Sequence, residues 1–157
     1  LDREREATHR LVVQLSDGIA PYPYHTTDCV VMVIILDVND NYPVFVSPTQ
    51  FQGNIVSGKV KAVDKDEGRN AVVSYRILPE SLPRAEFIID AVSGDILVNK
   101  PLDYEKTQNY TFTVSAMDYG TPQLWTLQEV TVFVLDMNDH APILHSRNDV
   151  LVVDEVP

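Results

Sequence analysis

Two short segments of the chain crowd oxygen ligands together. "LDVNDNYP" runs from Leu36, and ninety-nine residues later "LDMNDHAP" repeats it from Leu135. In the first copy Asp37, Asn39, Asp40 and Asn41 put two carboxylates and two side-chain amides, with nearby backbone carbonyls, into a five-residue window. Hard divalent cations such as calcium take about six to eight oxygen ligands, so the residue types suit that chemistry. Pro43 biases the preceding backbone toward an extended form, in which alternate groups face opposite ways. Soft-metal chemistry is not provided for, since four scattered histidines and a single cysteine make no tetrahedral zinc set. A helix-flanked calcium loop is suggested by "DKDEGRNAVVSY" from Asp64 but fails on its positions. Its fifth residue is Gly68, its sixth is Arg69 where a turn glycine is needed, and its twelfth is Tyr75 where a bidentate Glu belongs.

The elements that must hold these acids read as strands. "YTFTVSA" alternates, with Tyr110, Phe112, Val114 and Ala116 on one face and Thr111, Thr113 and Ser115 on the other, the two-residue period of a half-buried strand. "VTVFVLD" does the same through Val130, Val132 and Val134, and "VVSYRI" aligns Val73, Tyr75 and Ile77. "FIIDAVSGDILV" divides into two short strands around a Ser93-Gly94 turn. No window of similar length has a helical period with caps. Short strands at regular spacing predict an all-β fold, a β-sandwich of immunoglobulin-like architecture.

Landmarks recur at nearly one offset, which marks an internal repeat. "LDRE" at Leu1 matches "LDYE" at Leu102, and Asp17 matches Asp118, both at an offset of 101, while Asp37 matches Asp136 at 99. The chain thus reads as a cut from a tandem array. Residues 1–36 are the C-terminal part of a repeat A, 37–43 a linker, 44–135 a repeat B, 136–142 a second linker and 143–157 the start of a repeat C.

Composition narrows the function. Among 157 residues, 23 Asp and Glu against 12 Lys and Arg leave a net charge of −11, which repels nucleic acid and anionic membrane surfaces. The single cysteine, Cys29, excludes a disulfide within the chain; heading the apolar run "CVVMVIIL", it is expected to be a small buried hydrophobe. That run falls well short of the roughly 20 residues a membrane-spanning helix needs, and no signal segment opens the sequence. No nucleophile elbow, "HExxH" or phosphate loop appears, so an enzyme is not expected.

Taken in order and spacing, "LDRE", "DVNDNYPVF", "AVDKDEGRNAVVSY" and "SAMD" resemble the extracellular repeats of the cadherin superfamily, over essentially the whole chain. The resemblance implies Greek-key sandwiches in tandem with calcium between successive repeats, about three ions at a complete junction. At the A/B junction it implies ligation by Asp2, Glu4, Asp37, Asn39, Asp40, Asp64, Asp66 and Asp118, with backbone carbonyls of Asn41 and Asn70. At the B/C junction the implied ligands are Asp103, Glu105, Asp136, Asn138 and Asp139, with His140 where a second Asn is usual. Eleven of these residues are carboxylates, equal to the whole acidic excess.

The resemblance also implies a Glu early in each repeat. Repeat C has one at Glu155 in "VVDEVP", but in repeat B "FQGNI" passes directly to "VSGKVKAVD", about seven residues short after Ile55. The shortfall is either a deletion, which would cost the B/C junction a bridging carboxylate, or a loop left out of the numbered chain. The second reading is favoured, because deleting a crossover would part "FQGNI" from its partner strand; it predicts that Ile55 and Val56 are not peptide-bonded. "NYT" at Asn109 is a glycosylation sequon, and Trp125 is expected to pack on the sandwich edge rather than serve as an adhesive side chain.

The function implied is calcium-dependent cell-cell adhesion on the extracellular side of the plasma membrane, within a single-pass protein whose anchor lies outside this fragment. Partners would be other cadherin ectodomains, homophilic or heterophilic, with no nucleic acid and no direct membrane contact. The alternative is a heterophilic receptor or ligand-binding module in which calcium serves as scaffolding only, which an exposed apolar patch away from the junctions would favour.

Overall fold

A computed structural model describes residues 1–18, 25–53 and 56–139. In chain order its strands are β1 (Thr8–Ser16), β2 (Thr26–Ile34), β3 (Val44–Phe45), β4 (Gln50–Gln52), β5 (Val56–Lys59), β6 (Ala62–Val63), β7 (Ser74–Ile77), β8 (Phe87–Ile89), β9 (Asp95–Val98), β10 (Asn109–Met117) and β11 (Trp125–Phe133). The one helical element among the described residues is a 3-10 turn, Pro79–Ser81. No described helix is long and apolar enough to cross a membrane.

The alternating segments pair as their periodicity requires. β10 and β11 run antiparallel over nine residues each, β7 lies on the far side of β10, and β4 joins β11 in parallel, giving the sheet order β4-β11-β10-β7. A second sheet has the order β5-β9-β8, and β3 pairs with β6. The inward residues are those the alternation marks: Phe112, Val114, Ala116, Val130 and Val132 are buried against Phe87, Ile96 and Val60. Phe87 stacks on Phe112 with ring centroids 5.5 Å apart and meets Tyr110 edge-on at 5.3 Å, contacts worth about 0.5–1.5 kcal/mol each beyond area burial. Neighbours distant in sequence, together with β4 and β5 lying in different sheets, give the Greek-key sandwich. The Ser93-Gly94 turn forms as read; Gly94 has φ +75°, and a Cβ there would lie 2.3 Å from the Val60 carbonyl oxygen, so glycine is required.

The first hairpin has the register of β10 and β11. β1 and β2 form a separate two-stranded sheet in which Thr8 faces Ile34, as Asn109 faces Phe133 between β10 and β11. What differs is cover. Leu11, Val13 and Val31 occupy the places of buried Phe112, Val114 and Val130, yet all three are exposed, because no second described sheet packs on this hairpin.

Two expectations are corrected. Cys29, opposite Val13 on the same uncovered hairpin, is exposed rather than buried. Trp125 does not pack on the edge: it stands 54% exposed on the outer face of the larger sheet, opposite Met117. Asn54, Ile55, His140 and Glu155 lie outside the described residues, and with them the expected break between Ile55 and Val56 and the opening of repeat C.

Candidate metal centre

Four stretches of chain converge at one end of the sandwich. The extended segment after β2 carries Asp37, Asn39, Asp40 and Asn41 and ends at fully buried Pro43. The loop after β6 brings Asp64 and Asp66, with no helix on either side, as the failed helix-flanked reading requires. Asp118 follows the last residue of β10, and the turn before β1 supplies Asp2 and Glu4.

Asp118 is the anchor, with no accessible surface. Its Oδ1 accepts from the Gly120 N–H at 2.9 Å and the Leu124 N–H at 3.1 Å, and its Oδ2 from Asn39 Nδ2 at 2.9 Å. Asn39 also donates to the Pro122 carbonyl at 2.6 Å, so the linker is pinned to the sandwich through one amide. Asp37 Oδ2 accepts from the Glu67 N–H at 3.1 Å and Asn70 Nδ2 at 2.8 Å. Asn41 grips Asp66 twice, through its backbone N–H at 3.2 Å and its Nδ2 at 2.5 Å. Asp64 Oδ1 accepts from the Asp66 N–H at 2.9 Å. These bonds order acids that would otherwise repel.

The arrangement is nevertheless incomplete as a hydrogen-bond network. Asn39 Oδ1 and Asp64 Oδ2 are buried oxygens with no hydrogen-bond partner, and Asp37 Oδ1 has no hydrogen bond and only the Arg3 guanidinium 3.6 Å away, a costly condition unless something electropositive meets them. Glu4, Asp40 and Asp66 each present an oxygen within 4.8 Å of the other two, and among the described residues no other such trio of candidate ligands occurs. An all-oxygen set with orphaned acceptors fits a hard cation such as calcium.

Asp64 shows the electrostatic cost directly. Burial foremost, helped by the charges of Asp66 and Asp118, holds its carboxyl above the ordinary carboxylate range against opposing backbone hydrogen bonds. A raised folded-state pKa means the ionised group disfavours the metal-free fold; the penalty is full above that pKa and relieved as pH falls through it. Asp64→Asn keeps the acceptor for the Asp66 N–H and removes the charge. The metal-free chain should therefore melt at a slightly higher temperature while calcium affinity falls, opposite signs that melting curves with and without calcium will read.

The second group of acids lies at the C-terminal side of the described residues. Glu105, Asp136, Asn138 and Asp139 line one open cleft, whereas Asp103 turns to Lys106, whose Nζ lies 2.6 Å from Asp103 Oδ2. The carboxylate raises the pKa of that exposed lysine through a hydrogen bond and its charge.

Sequence reading missed two participants. Arg3 reaches between the strands of acid, paired with Glu67 and lying 3.6 Å from Asp37 Oδ1; its place inside "LDRE" was the available signal. Gly120 is the second: a Cβ there would come within 2.1 Å of the Asn39 amide. Its requirement comes from a residue 81 positions away and leaves no local mark.

Comparison with known proteins bears on the fold and the family. The Cadherin domain family matches residues 52–135. The chain is 40% identical over 167 residues to the human cadherin EGF LAG seven-pass G-type receptor 2, covering all of this chain and 6% of that protein. It is 41% identical over 150 residues to mouse protocadherin Fat 4, covering 91% of this chain and 3% of that one. It therefore spans only a small part of either relative's length. Among solved structures, the protocadherin gamma B2 extracellular cadherin domains 3–6 superpose with a TM-score of 0.80 at 28% identity, over 94% of this chain and 37% of theirs. The family is not enzymatic. A Greek-key sandwich, acids gathered at its end by a linker and two loops, and a family match over more than half the residues lead to one assignment: the chain belongs to the cadherin family.

Proposed function

We propose that this chain is a stretch of a cadherin ectodomain in which calcium, bound between successive repeats, stiffens the array for cell-cell adhesion at the extracellular face of the plasma membrane. The observation that carries the reading is the trio of Glu4, Asp40 and Asp66 oxygens beside the buried oxygens of Asp37, Asn39 and Asp64 that lack a hydrogen bond. Glu4 comes from the turn before β1, Asp40 from the linker and Asp66 from the sandwich, so a cation held by all three ties the segments together. Seven carboxylates serve the A/B junction: Asp2, Glu4, Asp37, Asp40, Asp64, Asp66 and Asp118. Like charges about 4 Å apart repel by roughly 4 kcal/mol at an effective dielectric near 20, so the cluster favours cations and loosens without them. Extracellular calcium modules bind at about 10⁻⁴ to 10⁻³ M, which fills such sites outside cells and empties them inside.

The uncovered hairpin supports the tandem phasing. Its register copies that of β10 and β11, so residues 1–36 are best understood as the last strands of a repeat A whose other sheet belongs to preceding chain. If the shortfall after Ile55 is a true deletion, the B/C junction is the weaker of the two, with no carboxylate where an early Glu would bridge to repeat C. Asp103, Glu105, Asp136, Asn138 and Asp139 then act with Glu155 of the next repeat alone.

Calcium titration of the intact chain tests the reading. Asp40→Ala should raise the calcium needed for half-saturation of the tighter site by about tenfold, while Asp139→Ala leaves that site unchanged and affects only a weaker phase. An unaltered tight phase in Asp40→Ala would overturn the assignment.

One observation favours the second reading, a heterophilic receptor or ligand-binding module with calcium as scaffolding. Trp125 and Leu127 are both exposed on the outer sheet face, Trp125 opposite Met117 at the end of the sheet that carries Asp118. Exposed Trp is the kind of anchor protein partners use. The two readings are compatible within one ectodomain.

A further inference from the structure

We propose that Asn109 carries an N-linked glycan whose first sugar rests on the ring of Phe133. The inference rests on the extracellular assignment above and adds a modification site with a defined seat. Asn109, Tyr110 and Thr111 form the chain's one acceptor triplet, and Asn109 is the first residue of β10. Tyr110 and Phe112 pack into or against the core, so alternation turns Asn109 outward; it is exposed, and its side-chain amide makes no hydrogen bond among the described residues.

The partner across the ladder is what makes the site specific. Asn109 faces Phe133. The adjacent Val134 N–H donates to the Gln108 carbonyl at 2.9 Å, which makes Asn109–Phe133 the intervening, non-hydrogen-bonded pair, the kind in which side chains approach most closely. Phe133 is 39% exposed, and the residues before it on this face of β11 are Thr131 and Glu129. On its other side stands Gln52 of the parallel strand β4. An N-acetylglucosamine ring has a face of C–H groups that packs on an aromatic ring, and a rim of hydroxyl and amide groups that Gln52 can meet. Phe133 thus lies where a sugar on Asn109 would cover it.

Attachment requires a lipid-pyrophosphate-linked oligosaccharide as donor. The Asn109 amide nitrogen forms the bond to the anomeric carbon, the carbon–oxygen bond to pyrophosphate breaks with its electron pair leaving on oxygen, and the amide proton passes to the transferring enzyme. In the folded chain the Thr111 hydroxyl is engaged with Thr131, Oγ1 to Oγ1 at 3.0 Å. Transfer therefore precedes strand pairing.

The chain secreted from a glycosylating animal cell, with a control sequon on its purification tag, tests both parts. Intact mass and enzymatic glycan release should show Asn109 filled, and Asn109→Gln and Thr111→Ala should each abolish it. The glycosylated chain should melt a few degrees above its enzymatically released form, and Phe133→Ser should erase that difference while leaving occupancy intact. An unmodified Asn109 beside a filled control, or a melting difference unchanged by Phe133→Ser, would overturn the proposal. Calcium titration of the same samples separates the failures: a normal calcium response with Asn109 bare defeats the glycan alone, whereas a filled Asn109 with no calcium response upholds the glycan and defeats the junction.

Discussion

Asp118→Ala should destabilise the metal-free chain by roughly 3–5 kcal/mol and remove its calcium response, although the residue is one carboxylate among many. The carboxylate has no accessible surface, and its two oxygens take the Gly120 and Leu124 backbone N–H groups and the Asn39 amide. Truncation strands three donors in a place water does not reach, each costing about 1–3 kcal/mol. The loss propagates, because Asn39 is the contact through which the linker is bound to the loop between β10 and β11. Urea unfolding without calcium measures the first effect and calcium titration the second. Asp118→Asn, which keeps one acceptor oxygen, should lie between wild type and alanine. An alanine variant within about 1 kcal/mol of wild type would show that the loop is held by other contacts.

Removing calcium should expand the chain. With chelator, small-angle scattering is expected to give a larger and broader distribution of dimensions as the hairpin and linker swing from the sandwich; added calcium should reverse it. The driving terms are the mutual repulsion of the seven junction carboxylates and the buried oxygens of Asp37, Asn39 and Asp64 that no hydrogen bond satisfies. Acid should act in the same direction as chelator on binding, since protons compete for the ligands. Asp64, whose carboxyl is held above the ordinary carboxylate range by burial, should take up its proton at a higher pH than an unperturbed Asp. An unchanged radius of gyration with and without chelator would count heavily against calcium as the stiffening element.

The strands were legible in the sequence because alternation left a periodic mark, and the acids that the fold gathers, Glu4, Asp40 and Asp66 among them, lie in segments the sequence had singled out. Alternation in "YTFTVSA" gave β10 and its core face, and the doubled "LD-x-ND" segments pointed to a ligand set that no single acid would have justified. Exposure was not legible. Cys29, Leu11 and Val31 have the residue types of a core, but burial depends on a covering sheet, which a local pattern cannot report. Trp125 likewise sits on a face whose partner strand, β10, contributes only Met117 opposite it. Arg3 and Gly120 acquire their roles by contact with Asp37 and Asn39, through tertiary approach rather than spacing.

The parallel pairing of β4 with β11 has a mechanical consequence. Chain tension enters the sandwich near β4 and leaves through β11, and these two strands are lateral neighbours, with Gln50, Phe51 and Gln52 beside Thr131, Val132 and Phe133. Pulled toward opposite ends, parallel neighbours slide along one another, so the bonds between them, such as Thr131 N–H to the Thr49 carbonyl at 2.8 Å, are loaded together in shear instead of peeled one by one. With three residues in that ladder, the seam is short, and the fully buried Val132 beside Phe51, which packs against the core, is its lock.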